Sequence, residues 1–363
     1  MPLRVLILTA SVGEGHDLPA RTLAAQIRQE RPEAEVVIRD GLAPMGRLIT
    51  AISADAGRVV FFRLQWLWDL GFWLFVSFGP TRHVTQWLLT RVGARGILRL
   101  VDDVKPDVIV CTYPNTTEVL GRLRLAGRLS VPVCAAITDL AAMHYWATPG
   151  ADVHLVTQPE SIAEVHAVAG PNARVFCVHG LTAPEFLQRR PAEDARRALG
   201  LPQDGKLVLV SGGGWGVGDL AGAVEAALSL APTSLVVCLC GRNERLQRRL
   251  LQRFGSESRV RIEGFTDRMP DWLAAADVLV HSTGGLTVLE ALMQGCQPIS
   301  YGWDRGHIRV NNEAFRRFGL ADVVAGRAEL ESAIARAFSR PRPTPPDLQA
   351  LPSAASIVLA EAG

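Results

Sequence analysis

Short apolar, β-branched runs alternate with longer helical stretches along most of the chain. A first series of strand-like runs is RVLILT (4–9), DVIVCT (107–112), VPVCAAIT (131–138) and DVHLV (152–156), and a second is LVLVSG (207–212), SLVVCLCG (234–241), RVRIEGF (259–265) and DVLVHS (277–282). Buried strands separated by helices are typical of parallel βαβ units. The pattern therefore predicts an α/β fold with parallel sheets.

This βαβ pattern runs twice, with a break at 184–206. Pro184, Pro191 and Pro202 lie in this charged stretch, and such punctuation is typical of a linker. We expect two Rossmann-like domains, over 1–185 and 186–340, and then a proline-rich tail with a final helix over 341–363. The chain has 363 residues and is 48% hydrophobic, so each half can bury a core.

Residues 59–78 depart from the pattern because they concentrate aromatic side chains. Three of the eight Trp and five of the twelve Phe lie here. About 20 residues can span a bilayer, but Arg63, Gln65 and Asp69 interrupt the run, and a charge inside a span is costly. Aromatic side chains beside cations favour a helix that lies in the membrane interface. The alternative is a helical hairpin buried against the first domain.

A cationic stretch follows the aromatic segment, since residues 58–99 include six Arg and one Asp. Together the two features predict peripheral attachment to an anionic membrane surface, on the inner face of the plasma membrane. The residues expected to contact it are Trp66, Trp68, Trp73 and Arg82.

The overall charge and the cysteines argue against a nucleic-acid-binding protein and a zinc protein. A formal net charge of +2 gives no indication of a nucleic-acid partner. The six cysteines have no zinc-ligand spacing and lie mostly in apolar runs, so we expect reduced core thiols in a cytoplasmic protein. The N-terminus begins with a strand-like run, and we expect no signal peptide.

Three glycine-rich turns each follow a predicted strand and precede a helix. They contain Gly13, Gly15 and His16; Gly212, Gly213 and Gly214; and Gly284 and Gly285. Glycine lets backbone N–H groups approach an anion, and the helix N-terminus adds a favourable dipole. Two such turns at strand ends in the second domain predict a diphosphate site there.

Three titratable residues lie beside these turns. Glu290, one turn into the helix after Gly285, can accept hydrogen bonds from both ribose hydroxyls; the alternative is an exposed helix glutamate. His16 is a candidate general base, the alternative being a cap or core histidine. Asp139, at the end of a predicted strand, either orients His16, serves as the base itself, or caps a helix.

These motifs resemble glycosyltransferase family 28. The second half is similar to the monogalactosyldiacylglycerol synthase and processive diacylglycerol glucosyltransferase group, and also to the GlcNAc transferase that completes the lipid-linked peptidoglycan precursor. The motifs that carry the resemblance are GGG (212–214), CGRNERL (240–246), GFTDRMPDWLAAADVLV (264–280), GGLTVLEAL (284–292), GHIRVNN (306–312), GEGH (13–16) and TDL (138–140).

The resemblance implies a GT-B fold, with two Rossmann-like domains facing across a cleft. It implies inverting transfer of a hexose from a UDP-sugar to a diacylglycerol-like lipid at the membrane surface, with no metal and no other cofactor. By motif position Glu290 holds the ribose, Thr287 with Gly284 and Gly285 the diphosphate, and Phe265 the uracil through its backbone. The other donor-side residues are Gly213, Gly214, His307 and Asn311, while His16 is the base and Gly13 and Gly15 form the acceptor-side loop.

One departure leaves the donated sugar open, because Gly306, His307 and Ile308 stand where the family has a GQE-type motif. Three alternatives remain for the function. They are a transferase that acts on a soluble or secondary-metabolite acceptor, a nucleotide-sugar epimerase with the same fold, and a non-catalytic protein that binds a UDP-sugar or a lipid. Analysis of the reaction products distinguishes these functions. The sequence does not indicate any protein partner.

Overall fold

The computed structural model describes residues 2–10, 14–51, 64–230, 233–345, 347 and 350–363. They form two compact units. The first contains Met1–Ala183, Arg305–His307 and Leu348–Gly363, and the second contains Pro184–Asp304 and Ile308–Asp347. The main division lies close to the predicted one at 185. The C-terminal stretch predicted as a separate tail divides between the units at Asp347.

The first unit is built on a six-stranded sheet in which every strand pair is parallel. Its strands are β1 (Arg4–Thr9), β2 (Glu35–Asp40), β3 (Val108–Cys111), β4 (Val133–Ile137), β5 (Val153–Val156) and β6 (Val175–Cys177), and their order is β2-β1-β3-β4-β5-β6. The order reverses between β1 and β3. Ligands of open α/β sheets bind at the carboxyl ends of the strands that flank such a reversal.

Helices cover both faces of this sheet, which explains why its central strands are continuous apolar runs. They are α1 (Glu14–Glu30), α2 (Arg47–Thr50), α3 (Gln65–Phe72), a π-helix (Trp73–Ser77), α4 (Gly79–Val104), α5 (Pro114–Leu125) and α6 (Ser161–Ala169). One core layer packs Leu23 and Ile27 of α1 against Val5 and Ile7 of β1, and the other packs Ile97 of α4 beneath the opposite face.

The second unit contains another six-stranded parallel sheet, in the order β12-β11-β10-β7-β8-β9. Its strands are β7 (Lys206–Ser211), β8 (Thr233–Leu239), β9 (Val260–Glu263), β10 (Val278–His281), β11 (Gln297–Tyr301) and β12 (Asp322–Val324). Counted from β7, the order is 3-2-1-4-5-6, as in dinucleotide-binding Rossmann folds. The strand order reverses between β7 and β10.

The helices of the second unit are α7 (Ala192–Leu199), α8 (Leu220–Leu228), α9 (Glu244–Phe254), α10 (Met269–Ala275), α11 (Gly285–Met293), α12 (Gly306–Phe318) and α13 (Arg327–Ser339). The first two residues of α12 are grouped with the first unit. A final helix, α14 (Ala354–Glu361), packs on α1 in the first unit through Ala354, Ala355 and Val358. The predicted final helix is therefore present.

Among the described residues, all eight predicted strands are present, each within a few residues of its predicted bounds, together with four strands that were not predicted. The missed strands β2, β6 and β12 lie at or near sheet edges, where several of their side chains are only half-buried. The fourth, β11, contains Gln297, Pro298 and Ser300. Because this composition is polar, the hydrophobic pattern does not predict a strand there.

Candidate functional site

In the second unit, two glycine-rich turns meet where the strand order reverses. One follows β7 and contains Gly212–Gly216, and the other joins β10 to α11. The Ser282 hydroxyl donates to the Val217 carbonyl oxygen, and a Cβ on Gly213 would lie 2.8 Å from the Thr283 Cγ2 atom. Gly213 has φ +66°, a conformation that favours glycine. The close contact therefore requires glycine at this position.

The second turn ends at the N-terminus of α11, where Gly284 is the extended N-cap residue. Before it, His281 is buried at the end of β10 and accepts a hydrogen bond at Nδ1 from the Thr283 N–H, at 3.2 Å. Burial lowers the pKa of His281 to about 4, so the ring is a neutral structural support for the turn. Sequence analysis missed this role. Thr287 lies half-buried in the first turn of α11.

Glu290 lies on the next turn of α11 and is only 7% exposed. It is therefore not the exposed helix glutamate that was the alternative. Its carboxyl accepts no hydrogen bond within the described part of the chain, and burial raises its pKa to about 8. An unpaired buried carboxyl is unfavourable for stability, and such groups concentrate at functional sites. The enclosed acid therefore has hydrogen-bonding capacity that the described residues leave unused.

Phe265 and Arg242 form a stacked pair on the loops that follow β9 and β8. The guanidinium carbon of Arg242 lies 3.8 Å from the centroid of the Phe265 ring, and Phe265 is 51% exposed. The Arg242 N–H donates to the Gly214 carbonyl oxygen at 2.8 Å. The pair is thus attached to the glycine-rich turn. Arg242 was not singled out from the sequence, although it lies in the CGRNERL motif.

Asn311 and Asn312 are both buried on α12. The Asn312 side chain accepts from the Ser300 hydroxyl and donates to the Trp303 carbonyl and to the Asp304 carboxylate. Asn312 therefore holds the loop after β11. Asn311, the residue predicted on the donor side, is fully enclosed and also has an interaction partner.

In the first unit, His16 lies at the reversal of strand order between β1 and β3. It is the third residue of α1, and its Nδ1 atom lies 2.8 Å from the Thr112 carbonyl oxygen at the end of β3. A carbonyl oxygen only accepts, so this contact assigns the proton to Nδ1 and leaves the lone pair on Nε2. The Tyr113 ring packs edge-on against the imidazole, with centroids 5.1 Å apart. The lone pair of Nε2 is therefore available to accept a proton.

Asp139 lies just past the carboxyl end of β4 and is buried. Its Oδ2 atom accepts a hydrogen bond from the Trp146 indole N–H at 2.6 Å. The Trp146 ring also lies nearly parallel to the His307 ring, with centroids 6.3 Å apart. Residues 305–307 belong to this unit, which brings His16, Asp139 and His307 into one electrostatic cluster.

The two histidines of the cluster are both held neutral by burial. Burial lowers the pKa of His16, the Asp139 carboxylate partly offsets that effect, and His307 lowers it further. Burial also lowers the pKa of His307, again against the influence of Asp139. A neutral imidazole beside a carboxylate can accept a proton and then be stabilised as the imidazolium.

The acceptor-side loop is described only in part. Gly13 lies outside the described residues. Gly15 is in the first turn of α1, where its carbonyl accepts from the Thr138 hydroxyl at 3.4 Å. This bond joins the start of α1 to the end of β4, next to Asp139.

An apolar surface extends over α3, the π-helix and α4. Trp66 is 65% exposed, and Trp73, Phe75, Val84, Trp87, Leu88 and Val92 are also largely exposed. The Arg91 guanidinium carbon lies 5.6 Å from the Trp87 ring centroid. Exposed large apolar side chains grouped on successive helices are a feature of interaction sites. We call this set of residues the aromatic surface; the predicted residues 59–63 lie outside the described part of the chain.

The opposite side of α3 packs against residues 305–306, which are grouped with the same unit. The Asp69 carboxylate accepts from the Arg305 guanidinium at 2.7 Å and from the Gly306 N–H at 2.9 Å, and half-buried Trp68 packs against Gly306. Arg82 is half-buried and donates to the carbonyl oxygens of Val76 and Ser77. Trp66 and Trp73 therefore belong to the aromatic surface, whereas Trp68 and Arg82 make contacts within the protein.

No described helix is both long enough and apolar enough to cross a membrane. Among the same residues, no group of three His, Cys, Asp or Glu side chains is arranged as a metal site.

Comparisons with known proteins agree with the fold. Residues 16–181 match the family described as monogalactosyldiacylglycerol (MGDG) synthase, and residues 207–357 match the glycosyltransferase family 28 C-terminal domain. The protein is a UDP-sugar-dependent glycosyltransferase with two Rossmann-like domains. Its second half matches the C-terminal domain of glycosyltransferase family 28, and the chain resembles the MGDG synthase and processive diacylglycerol glucosyltransferase group.

Relatives and solved structures extend over most of the chain. The processive diacylglycerol beta-glucosyltransferase of Staphylococcus carnosus is 23% identical over 324 residues, which are 88% of this chain and 81% of that protein. MurG of Acinetobacter baumannii has a TM-score of 0.61 at 15% identity, covering 99% of this chain and 100% of MurG. A putative UDP-N-acetylglucosamine 2-epimerase of Listeria monocytogenes has a TM-score of 0.57 at 15% identity, covering 99% and 95%. The two structures indicate the fold alone.

Proposed function

We propose that the protein transfers a hexose from a UDP-sugar to the hydroxyl of a diacylglycerol-like lipid, with inversion at the anomeric carbon. The observation that carries the donor half is the buried, unpaired Glu290 carboxyl where the strand order of the second unit reverses. A ribose diol supplies the two hydroxyl donors that this carboxyl lacks. The acceptor half is supported by the Staphylococcus carnosus relative, whose name gives diacylglycerol as its substrate.

The donor is proposed to lie across the two glycine-rich turns. Gly213 and Gly214, with Gly284 and Gly285 at the start of α11, would present N–H groups to the diphosphate, and Thr287 would add a hydroxyl. Phe265 would border the uracil, and His307 and Asn311 complete the proposed donor set. The helix N-terminus supports the negative charge that develops on the leaving diphosphate, so we propose that no metal and no further cofactor are needed.

We propose His16 as the base, because its Nδ1–H is occupied by the Thr112 carbonyl and its Nε2 atom keeps a lone pair. Nε2 removes the proton of the acceptor hydroxyl, the oxygen forms a bond to the anomeric carbon, and the bond from that carbon to the diphosphate oxygen breaks. The products are the glycosylated lipid, UDP and an imidazolium. Asp139 stabilises this cation through its charge, since Nδ1 is oriented by Thr112 instead.

A lipid acceptor offers its hydroxyl at the membrane surface, and we propose that the aromatic surface attaches the first unit there. Exposed Trp66, Trp73 and Trp87 supply apolar contact, and Arg91 supplies attraction to anionic head groups. The proposed location is the cytoplasmic face of the plasma membrane, with peripheral attachment.

The test is incubation with a panel of UDP-sugars and diacylglycerol-containing liposomes, followed by mass spectrometry of lipid and soluble products. A hexosyl-lipid and free UDP are expected. A glycosylated soluble compound from an added metabolite extract, an epimerised UDP-sugar, or UDP-sugar binding without turnover would instead support one of the three alternative functions and contradict this proposal.

A further inference from the structure

Trp146 makes a directed contact that a core tryptophan does not need. Its indole N–H donates to the Asp139 Oδ2 atom at 2.6 Å, and an indole is a donor only. A short bond of this kind to an ionised acceptor is among the stronger hydrogen bonds in proteins. The contact fixes one carboxylate oxygen, and therefore the direction in which Asp139 presents its charge to His16.

Hydrogen bonds near both ends anchor the loop between Asp139 and Trp146. Tyr145 has φ +79°, which is a left-handed conformation rarely adopted by a bulky residue. Its side chain is buried, and its hydroxyl donates to the Phe75 carbonyl oxygen at 3.0 Å. Near the other end of the loop, the Ser161 hydroxyl donates to the Leu140 carbonyl oxygen at 2.7 Å. Trp146 follows the strained residue directly, so the anchored backbone determines where its ring lies.

We propose that Trp146 is a positioning residue whose indole N–H fixes the Asp139 carboxylate for proton transfer at His16. The inference rests on the proposed function, because it assigns Asp139 a place in that reaction. Packing is a separate role of the same side chain, since the half-buried ring also lies against the cluster that contains Ile137, Val156 and Val165. A phenylalanine keeps a ring at this position and lacks the N–H.

The test is a double-mutant cycle between Trp146→Phe and Asp139→Asn, with kcat and UDP affinity measured for each protein. Trp146→Phe is expected to lower kcat by about tenfold or more, the effect of losing a hydrogen bond to a charged group, with UDP affinity unchanged. In the Asp139→Asn background the same substitution is expected to change kcat by less than about twofold. Trp272→Phe is the matched control, because it removes an indole bond to the Thr266 hydroxyl in the second unit.

A purely structural role would lower kcat equally in both backgrounds, and that result overturns the inference. So does a Trp146→Phe variant with normal kcat, or an Asp139→Asn variant with normal kcat. If Trp146→Phe does not fold, the indole N–H resonance of ¹⁵N-tryptophan-labelled protein decides: it must shift on Asp139→Asn, and an unchanged resonance overturns the contact. A wild-type protein that makes no hexosyl-lipid contradicts the proposed function instead, and the same resonance then tests the contact alone.

Discussion

At the residue scale, Glu290 is a buried acid whose proposed role in binding comes at the expense of stability. Its buried carboxyl has a pKa near 8, so the acid is largely protonated at neutral pH in the free protein. In the proposed complex the ribose hydroxyls donate to the ionised form, and UDP binding must therefore displace the proton. The folded protein thus keeps an unpaired carboxyl group, and the proposed UDP-sugar would supply its hydrogen-bond partners.

We expect Glu290→Gln and Glu290→Ala to weaken UDP binding by about 10–100-fold, the range for a lost hydrogen bond to a charged group. For the wild type, UDP affinity is expected to fall as the pH is lowered below about 8, because the proton must then be released on binding. Titration calorimetry in buffers of different ionisation enthalpy measures both effects. Glu313→Gln, on the exposed side of α12, is the control; equal affinity in the Glu290 variants would exclude the ribose role.

The same carboxyl predicts a dependence of stability on pH. Its pKa is raised from 4.5 in the unfolded chain to about 8 in the folded protein. The protonated carboxyl therefore contributes to the free energy of unfolding in full below pH 4.5, and this contribution is lost as the pH rises through 8. Glu290→Gln does not ionise. We therefore expect the melting temperature of the variant to rise relative to the wild type across this interval, and a constant difference would contradict the raised pKa.

His16→Ala is expected to lower kcat by about 10²–10⁴-fold, as for a lost general base, while UDP binding remains normal. The physical reason is the orientation of the ring, with Nδ1–H held by Thr112 and Nε2 left as the acceptor. Steady-state kinetics and a UDP titration measure the two parts. His166→Ala is a matched control, because that ring is also held at Nδ1 by a carbonyl oxygen, that of Gly170. A variant with near-normal kcat would assign the base role to Asp139 or another group.

At the element scale, α3 has its charged residue on the side that packs against the protein and apolar residues on its exposed side. Asp69 pairs with Arg305, and Trp68 packs on Gly306. Trp66 and Leu70 are exposed. The charge that argued against a membrane span therefore has a partner in the first unit, and the exposed side is left apolar.

Replacing Trp66, Trp73 and Trp87 together by Ser is expected to reduce binding to anionic liposomes in a flotation assay, because these side chains supply exposed apolar area. High salt should also weaken wild-type binding, since the attraction by Arg is screened. Leu125→Ser is the control, because Leu125 is exposed at the end of a different helix. If the wild type does not float with anionic liposomes, or the control loses binding equally, the membrane role is refuted.

At the scale of the whole molecule, each unit has its candidate residues where its own strand order reverses. His16 and Thr112 meet between β1 and β3, and the two glycine-rich turns meet between β7 and β10. The same topological rule thus accounts for the positions of both sets of candidate residues. The final helix α14 returns to the first unit and completes its core through Val358.

Activity is expected to survive exhaustive chelation, because the N-terminus of α11 can support the charge of the leaving diphosphate. The measurement is turnover in EDTA, followed by readdition of magnesium or manganese. Turnover of Glu290→Ala, in which weaker UDP binding is expected, is measured alongside as a reference for reduced activity without chelation. Loss of turnover in EDTA that is restored by either metal would show that the reaction needs a cation.

The sequence by itself determined the two-fold βαβ organisation, because buried parallel strands must be apolar on both faces and so appear as continuous hydrophobic runs. It also identified the glycine-rich turns, since a left-handed backbone and a close neighbouring side chain together require glycine, as at Gly213. It could not determine which side chains meet from distant segments. The bond from Trp146 to Asp139, the contact of His16 with Thr112 and the pairing of Asp69 with Arg305 depend on tertiary packing. Burial likewise decided that Glu290 is a nearly neutral, enclosed acid, because solvent exclusion depends on the surrounding fold and not on local sequence.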